Sequence, residues 1–170
     1  ALLALDTTVT IAGATGRRML PLEQFLVDAY TTALGPGELL AEVAVRLPEA
    51  RSGGAYVKFE KRAGDFAVAS VGVQLGLDGA GACSQVAISL GAVGAMPMRA
   101  RAAEARLTGR VPSDALVSEA AALVRDASQL FDDTRGSADY KRHLAGVLFG
   151  RAFGVALARA RGEHVATLHV

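Results

Sequence analysis

The sequence is poor in cysteine, tryptophan and other aromatic residues. Its 170 residues contain one cysteine, Cys83, and no tryptophan, and only 5% are aromatic. A single cysteine cannot form an internal disulfide, and no group of Cys and His residues has the spacing of a zinc or iron–sulfur site. The apolar share of 51% therefore consists mainly of Ala, Val and Leu, which suit close packing of helices and sheets.

An excess of one charge is also missing, and so is any long apolar run. Lys and Arg number 18 against 17 Asp and Glu, so no basic field would attract nucleic acid or an anionic membrane. No run of about 18 apolar residues could form a transmembrane segment, and the first residues lack the pattern of a signal peptide. With the single cysteine, this predicts a cytoplasmic protein. The chain opens without Met on a strand-like stretch, so we expect it to begin inside a domain.

The first third of the chain alternates between apolar and polar residues. Residues 4–12 and 39–47 each show the two-residue period of a strand, and residues 21–27 between them favour a short helix. A Pro- and Gly-containing stretch over residues 48–54 is the best candidate for a linker.

After this linker the pattern predicts three antiparallel strands in a meander. They cover residues 56–62, 67–77 and 86–92, and the second and third strands are joined by a turn at residues 78–81. The alternation in residues 67–77 is nearly strict, which predicts a strand with one buried and one open face.

From Pro97 onward the period becomes helical. Three helices are predicted: one beginning near Ala100 and ending at Gly109, one opening near Ser113, and one over residues 137–161. The apolar stripe of the third helix comprises Leu144, Val147, Leu148, Ala152 and Val155, while Gly146, Gly150 and Gly154 would let a neighbour pack closely. Strands followed by helices predict an α+β fold.

Residues 56–67 concentrate five charges between two apolar strands. One interpretation is a solvated hairpin edge, which is the usual reading of a charge run. The other begins with Gly64, because glycine permits a bend that would project Asp65 and Phe66 toward a ligand. The residues alone leave both interpretations open.

Four segments together carry a resemblance to a known family. They are residues 36–40 (Pro-Gly-Glu-Leu-Leu), residues 56–67, residues 90–94 (Leu-Gly-Ala-Val-Gly) and residues 135–145, which begin Arg-Gly-Ser-Ala-Asp-Tyr. In this order they resemble the C-terminal half of the medium, FAD-binding subunits of carbon monoxide dehydrogenases and of the wider xanthine dehydrogenase type of molybdenum hydroxylase. The similarity extends over essentially the whole chain.

The resemblance implies a division of the chain. Residues 1–48 would be the end of an FAD-binding domain of the vanillyl-alcohol-oxidase type. Residues 54–163 would form the C-terminal domain, a three-stranded antiparallel sheet packed with a small helical bundle, and residues 164–170 a tail.

The resemblance also implies a set of cofactor-binding residues. Leu40 and Phe66 would contact the flavin ring, with Lys58 and Asp65 as its polar neighbours. Many family members carry Tyr where Phe66 stands, and the missing hydroxyl removes one hydrogen bond. The glycine-rich loops that bind the FAD pyrophosphate in this family would lie upstream, so the N-terminal half of the subunit is expected as a partner. No catalytic side chain or metal ligand is expected here.

The activity implied by the resemblance is electron transfer. A large subunit with the molybdenum cofactor would oxidise the substrate, and a small subunit with two iron–sulfur clusters would relay electrons to FAD and an external acceptor. The complex would be a dimer of such heterotrimers. The alternatives are the flavin subunit of a xanthine- or aldehyde-type hydroxylase, and a flavin-free module that only docks subunits.

Other candidate motifs are weak. Residues 13–16 and 91–94 lack the spacing of a dinucleotide-binding loop. His143 is predicted on a helix as a surface or packing residue, and His164 and His169 fall in the tail. Cys83 is expected to be a buried thiol, since no His lies near it in sequence.

Overall fold

The computed structural model describes residues 1–129 and 132–165 and contains two groups of elements. The first group is built around the antiparallel sheet β2-β1-β5, with a small β3–β4 hairpin beside it. Its members are a 3₁₀ turn over Leu2–Leu5, β1 (Thr8–Gly13), β2 (Gly16–Pro21), α1 (Leu22–Phe25), β3 (Leu26–Asp28), β4 (Thr31–Thr32) and β5 (Leu39–Ala44).

The second group is an antiparallel sheet of order β6-β7-β8-β9 with three helices. Its members are β6 (Ser52–Phe59), β7 (Ala69–Leu77), β8 (Cys83–Gly91), β9 (Met98–Arg99), α2 (Arg101–Leu107), α3 (Asp114–Ala127) and α4 (Ala138–Ala160). The predicted α+β class, with a three-stranded antiparallel sheet and a small helical bundle, is confirmed. The two-residue strand β9 extends that sheet at the β8 edge.

The main core lies between this sheet and the helices. Phe149 and Phe153 of α4 are almost completely buried, with ring centroids 5.6 Å apart, and α4 packs across β6 and β7. Ser113 and Ser137 cap α3 and α4 by accepting backbone N–H bonds from Leu116 and Tyr140, as the sequence predicts for helix starts. These capping bonds fix the starts of α3 and α4.

The N-terminal strand prediction was wrong at its start. Residues 2–5 form a 3₁₀ turn, and β1 begins only at Thr8. This turn packs against β7 and β8, and it covers the sheet face that the sequence predicts to be open. Ser70 of β7 and Ser89 of β8 are consequently only 4% exposed. The alternation in residues 67–77 marks side chains of different polarity, but the second face of β7 is also buried at Ser70 and Gly72 and half-buried at Gln74 and Gly76.

Four smaller predictions also need correction. Strand β6 begins at Ser52, inside the predicted linker, and α1 spans only four residues. Val147 is 37% exposed, because the buried stripe of α4 runs through Phe149 and Phe153 instead. Of the three α4 glycines, only Gly146 lies close to a neighbour, the Arg125 side chain; a Cβ at Gly150 or Gly154 would meet no atom within 4 Å.

Ion pairs join the two groups of elements. The Arg99 guanidinium, 6% exposed, donates to the Leu3 carbonyl and to the Asp6 carboxylate at 3.0 Å each, and it also pairs with Glu104. Glu104 in turn accepts the backbone N–H of Ile88 at 2.8 Å. Arg99 thus connects the 3₁₀ turn to the edge of the second sheet.

Candidate functional site: the β6–β7 loop

The segment between β6 and β7, residues 60–68, forms a closed loop at one end of the second sheet. Lys58 precedes it, opposite Ser70 in the β6–β7 pairing. The Val68 N–H donates to the Phe59 carbonyl at 2.8 Å, which closes the loop at its base. The charge-rich segment is therefore held at both ends by the sheet.

Lys58 and Glu60 organise the interior of the loop. The Lys58 ammonium pairs with one Glu60 oxygen and donates to the Asp65 carbonyl at 3.2 Å. The other Glu60 oxygen accepts the Gly64 N–H at 3.1 Å. The hydrogen bond from Lys58, followed by that from Gly64, lowers the pKa of the Glu60 carboxyl. Gly64 has φ +84°, the left-handed conformation that the predicted bend requires.

The bend projects Phe66 into solvent, where its side chain is 77% exposed. Its backbone N–H donates to the Asp65 carboxylate at 2.7 Å, so that carboxylate is engaged within the loop. An exposed aromatic ring offers an apolar surface to a planar ligand. The structure brings two of the predicted residues, Asp65 and Phe66, into one loop and places Lys58 at the end of β6, where its ammonium reaches the Asp65 carbonyl.

The fourth predicted residue, Leu40, lies apart from them on β5, in the other sheet. It pairs with Ile11 at a bulge in the β1–β5 ladder and is 41% exposed. The turn before it is held by Glu38, which accepts hydrogen bonds from Arg18 at 2.8 and 3.1 Å and from the Gly35 N–H at 2.7 Å. These bonds lower the pKa of Glu38 to about 2, with the Arg18 hydrogen bond as the largest cause.

A second loop, residues 132–137, touches the β6–β7 loop. The Lys61 ammonium donates to the Thr134 carbonyl at 3.0 Å, and the Arg135 guanidinium lies over the Phe66 ring, 5.3 Å from its centroid. The sequence analysis used the Arg-Gly-Ser motif only as a family marker and did not predict these contacts. No local signal would have revealed them, since the partners are 73 residues apart for the Lys61–Thr134 bond.

The remaining candidates take no part in this site. Cys83 is buried, and burial raises the pKa of its thiol, which keeps it protonated. His143 and His164 are exposed, and His169 lies outside the described residues. Within residues 1–129 and 132–165 no group of three or more His, Cys, Asp or Glu side chains could hold a metal ion. No helix in that part of the chain has both the length and the apolar character needed to cross a bilayer.

Two family models match the chain. Residues 54–156 match the CO dehydrogenase flavoprotein C-terminal domain, and residues 1–50 match the FAD binding domain in molybdopterin dehydrogenase.

Curated relatives include the carbon monoxide dehydrogenase medium chain of Afipia carboxidovorans, 33% identical over 92% of this chain. The 6-hydroxypseudooxynicotine dehydrogenase complex subunit alpha of Paenarthrobacter nicotinovorans is 34% identical over 94% of the chain. The glyceraldehyde dehydrogenase medium chain of Sulfolobus acidocaldarius is 32% identical over 89%. The chain spans about half the length of these relatives, 53–54%.

Solved structures agree with these matches. A carbon monoxide dehydrogenase from Hydrogenophaga pseudoflava superposes with a TM-score of 0.90 at 34% identity, covering 93% of this chain and 55% of the matched one. The quinoline 2-oxidoreductase of Pseudomonas putida 86 gives a TM-score of 0.83 at 28% identity, with 94% and 55% coverage.

Proposed function

Because the chain belongs to the carbon monoxide dehydrogenase flavoprotein family of molybdenum hydroxylase subunits, we propose that it forms the ring-binding side of an FAD site. The observation that carries this proposal is the exposed Phe66 ring on a loop that is closed by the sheet and braced by Lys58 and Glu60. When bound, FAD supplies reversible electron uptake, and the protein supplies its position and electrostatic surroundings.

The residues in the loop fit the ring end of a flavin. Phe66 has Arg135 over its ring, and the high exposure of its side chain leaves surface for stacking on a planar group. Asp65 would place a carboxylate beside that ring, and Lys58 would hold the loop while adding a positive charge. Leu40 would contact the flavin from the other sheet. FAD would then lie between the two groups of elements.

The complete subunit would combine this chain with the upstream half that its relatives possess, which would hold the pyrophosphate and adenine. We assign residues 1–48 to the end of the FAD-binding domain, residues 54–163 to the C-terminal domain and residues 164–170 to a tail, of which residues 166–170 lie outside the described part. Electrons would arrive from two iron–sulfur clusters in a small subunit, after substrate oxidation at the molybdenum cofactor of a large subunit. The assembly would be a cytoplasmic dimer of heterotrimers.

In this proposal the large subunit, and not this chain, determines which substrate the complex oxidises. Relatives whose names refer to carbon monoxide, 6-hydroxypseudooxynicotine and glyceraldehyde match with nearly equal identity, 33, 34 and 32%. Such similar values favour a common flavin module that serves different oxidations, with the flavin subunit of a xanthine- or aldehyde-type hydroxylase as the alternative.

The test compares the chain expressed alone with the chain joined to the upstream half of the subunit. Alone it should purify without colour, because contacts to the ring end would not offset an association cost of about 4 kcal/mol or more. The joined protein should bind FAD with one-to-one stoichiometry, measured by its visible absorbance. Stoichiometric flavin on the isolated chain would contradict the proposal that this chain contacts only the ring end of FAD. A colourless joined protein would favour the alternative, a flavin-free module that docks subunits.

A further inference from the structure

We infer that Arg135 is a positioning residue for the flavin site, which holds the Phe66 ring in the orientation that stacks on the isoalloxazine. This inference rests on the proposed function, because it assigns a role within the same site. It is carried by the contact between the two loops, in which the Arg135 guanidinium lies 5.3 Å from the centre of the Phe66 ring.

The Phe66 side chain has little else to hold it. It is 77% exposed, and its backbone N–H bond to Asp65 fixes the main chain without restricting the ring. An exposed aromatic side chain rotates among several rotamers, and a ligand that needs one of them must pay for the ordering. A guanidinium over one face of the ring favours a single orientation and leaves the other face for a planar partner.

The main chain at Arg135 is itself fixed. The Asp133 carboxylate accepts the N–H groups of Arg135 and Gly136 at 2.8 and 3.2 Å. Its other oxygen pairs at 2.8 Å with Lys141, whose side chain is 3% exposed on α4. The hydrogen bond from Lys141 is the largest cause that lowers the pKa of Asp133. A buried cation in the helical layer thus anchors the turn that carries Arg135.

A second contact joins the same two loops independently of Phe66. The Lys61 ammonium donates to the Thr134 carbonyl at 3.0 Å, next to Arg135 in sequence. The two loops are therefore held together at two points. One is the hydrogen bond from Lys61 to a backbone carbonyl, and the other is the contact of Arg135 with the Phe66 ring. Removing the Arg135 side chain should free the ring while the loops stay in contact through Lys61.

The flavin-dependent test uses the joined subunit described above and measures the FAD dissociation constant. Arg135→Ala should weaken FAD binding about two- to fivefold, the range expected for a cation–π contact at an exposed site. Arg135→Lys should restore part of the loss, since a lysine ammonium also binds an aromatic face. The matched control is Arg142→Ala, which removes a half-buried arginine of α4 that pairs with Asp139 at 2.6 Å and should leave the FAD affinity unchanged.

A double-mutant cycle separates positioning from a general loss of stability. In a Phe66→Leu background, Arg135→Ala should have no further effect on FAD affinity, because the residue through which it acts is gone. An equal effect in both backgrounds would overturn the inference, and so would an Arg135→Ala variant that behaves like Arg142→Ala. If the unmutated joined subunit bound no FAD, the proposed function would fail and the role of Arg135 with it.

One readout needs no flavin. In the unmutated 170-residue chain, the side-chain protons of Arg135 should show an upfield ring-current shift by NMR, and Phe66→Leu should abolish it. Absence of this shift would overturn the inference whether or not the joined subunit binds FAD. If the shift is present but the Arg135→Ala joined subunit binds FAD with unchanged affinity, the positioning role is overturned. The proposed FAD site would stand in that case.

Discussion

The two sheets of this chain differ in how completely they are covered. The second sheet packs against α4 on one face and receives the 3₁₀ turn on the other. The first sheet has a small core of Val9, Ile11 and Phe25, and its strand β5 is exposed along its whole length. Leu40, one of the proposed flavin contacts, lies on that exposed strand. The difference indicates that the second region stabilises itself, whereas the first relies on Arg99 and on contacts outside its own core.

The largest expected change in stability comes from removing a buried ring from the core of each region and comparing the two variants. Phe149→Ala removes a fully buried ring from α4 and should lower the free energy of unfolding by about 3–5 kcal/mol. Phe25→Ala should leave the main denaturant transition nearly unchanged and instead accelerate limited proteolysis within residues 1–48. An equal shift of the main transition by both variants would show that the chain unfolds as one cooperative unit, and the contrast would be wrong.

The link between the two regions gives the next effect. Glu104 is 6% exposed, and Glu104→Gln would leave the Arg99 charge without its buried partner. We expect a loss of about 3 kcal/mol, at the lower end for a broken buried pair because Arg99 keeps Asp6 and Leu3. The control is Glu119→Gln, which breaks a more exposed pair with Arg106 and should change stability by less than about 1 kcal/mol. Thermal denaturation of both variants measures the difference.

Close packing within the second region gives a smaller effect. A Cβ at Gly53 would lie 2.1 Å from the Ala156 carbonyl oxygen, so α4 approaches β6 over this glycine. Gly53→Ala should therefore destabilise by about 1–3 kcal/mol. Gly79→Ala, at a turn where nothing lies within 4 Å, should change stability by less than about 0.5 kcal/mol. Denaturant midpoints that coincide for the two variants would contradict this packing.

The smallest effect concerns the electrostatics of the proposed flavin site. Asp65→Asn keeps an oxygen to accept the Phe66 N–H and removes one negative charge. Because that charge disfavours the addition of electrons to a nearby flavin, the two-electron potential of the joined subunit should rise. Asp65 is exposed, so an interaction of about 0.5–1 kcal/mol corresponds to roughly 10–20 mV. If Asp65 only stabilises the loop, the potential would stay the same and the melting temperature would fall.

Much of the second region was predictable from the sequence, because its helices and strands have strong local periods. The predicted helix over residues 137–161 corresponds to α4, Ala138–Ala160, and the predicted meander corresponds to β6–β8. The failures concern elements whose surroundings come from elsewhere in the chain. Val147 fits an apolar stripe by spacing, but the rotation of α4 on the sheet buries Phe149 and Phe153 instead. The strand predicted over residues 4–12 begins only at Thr8, because residues 2–5 form the turn that covers β7 and β8.

The candidate site divides in the same way. Gly64 predicted the bend, and Asp65 and Phe66 follow it directly in sequence, so they share its loop, while Lys58 lies at the end of β6 just before that loop. Leu40 entered only through the family resemblance, and its assignment to the flavin stays a prediction.

The sequence by itself determined the α+β class, the meander, the helix starts at Ser113 and Ser137 and the bend at Gly64. Each depends on residues within a few positions of one another, where period, capping and backbone freedom act. Only the tertiary structure decided that the polar face of β7 is buried at Ser70 and that Arg135 lies over Phe66. Those contacts join segments far apart in the chain, so they arise only when the packing of the helices on the sheet brings the loops together.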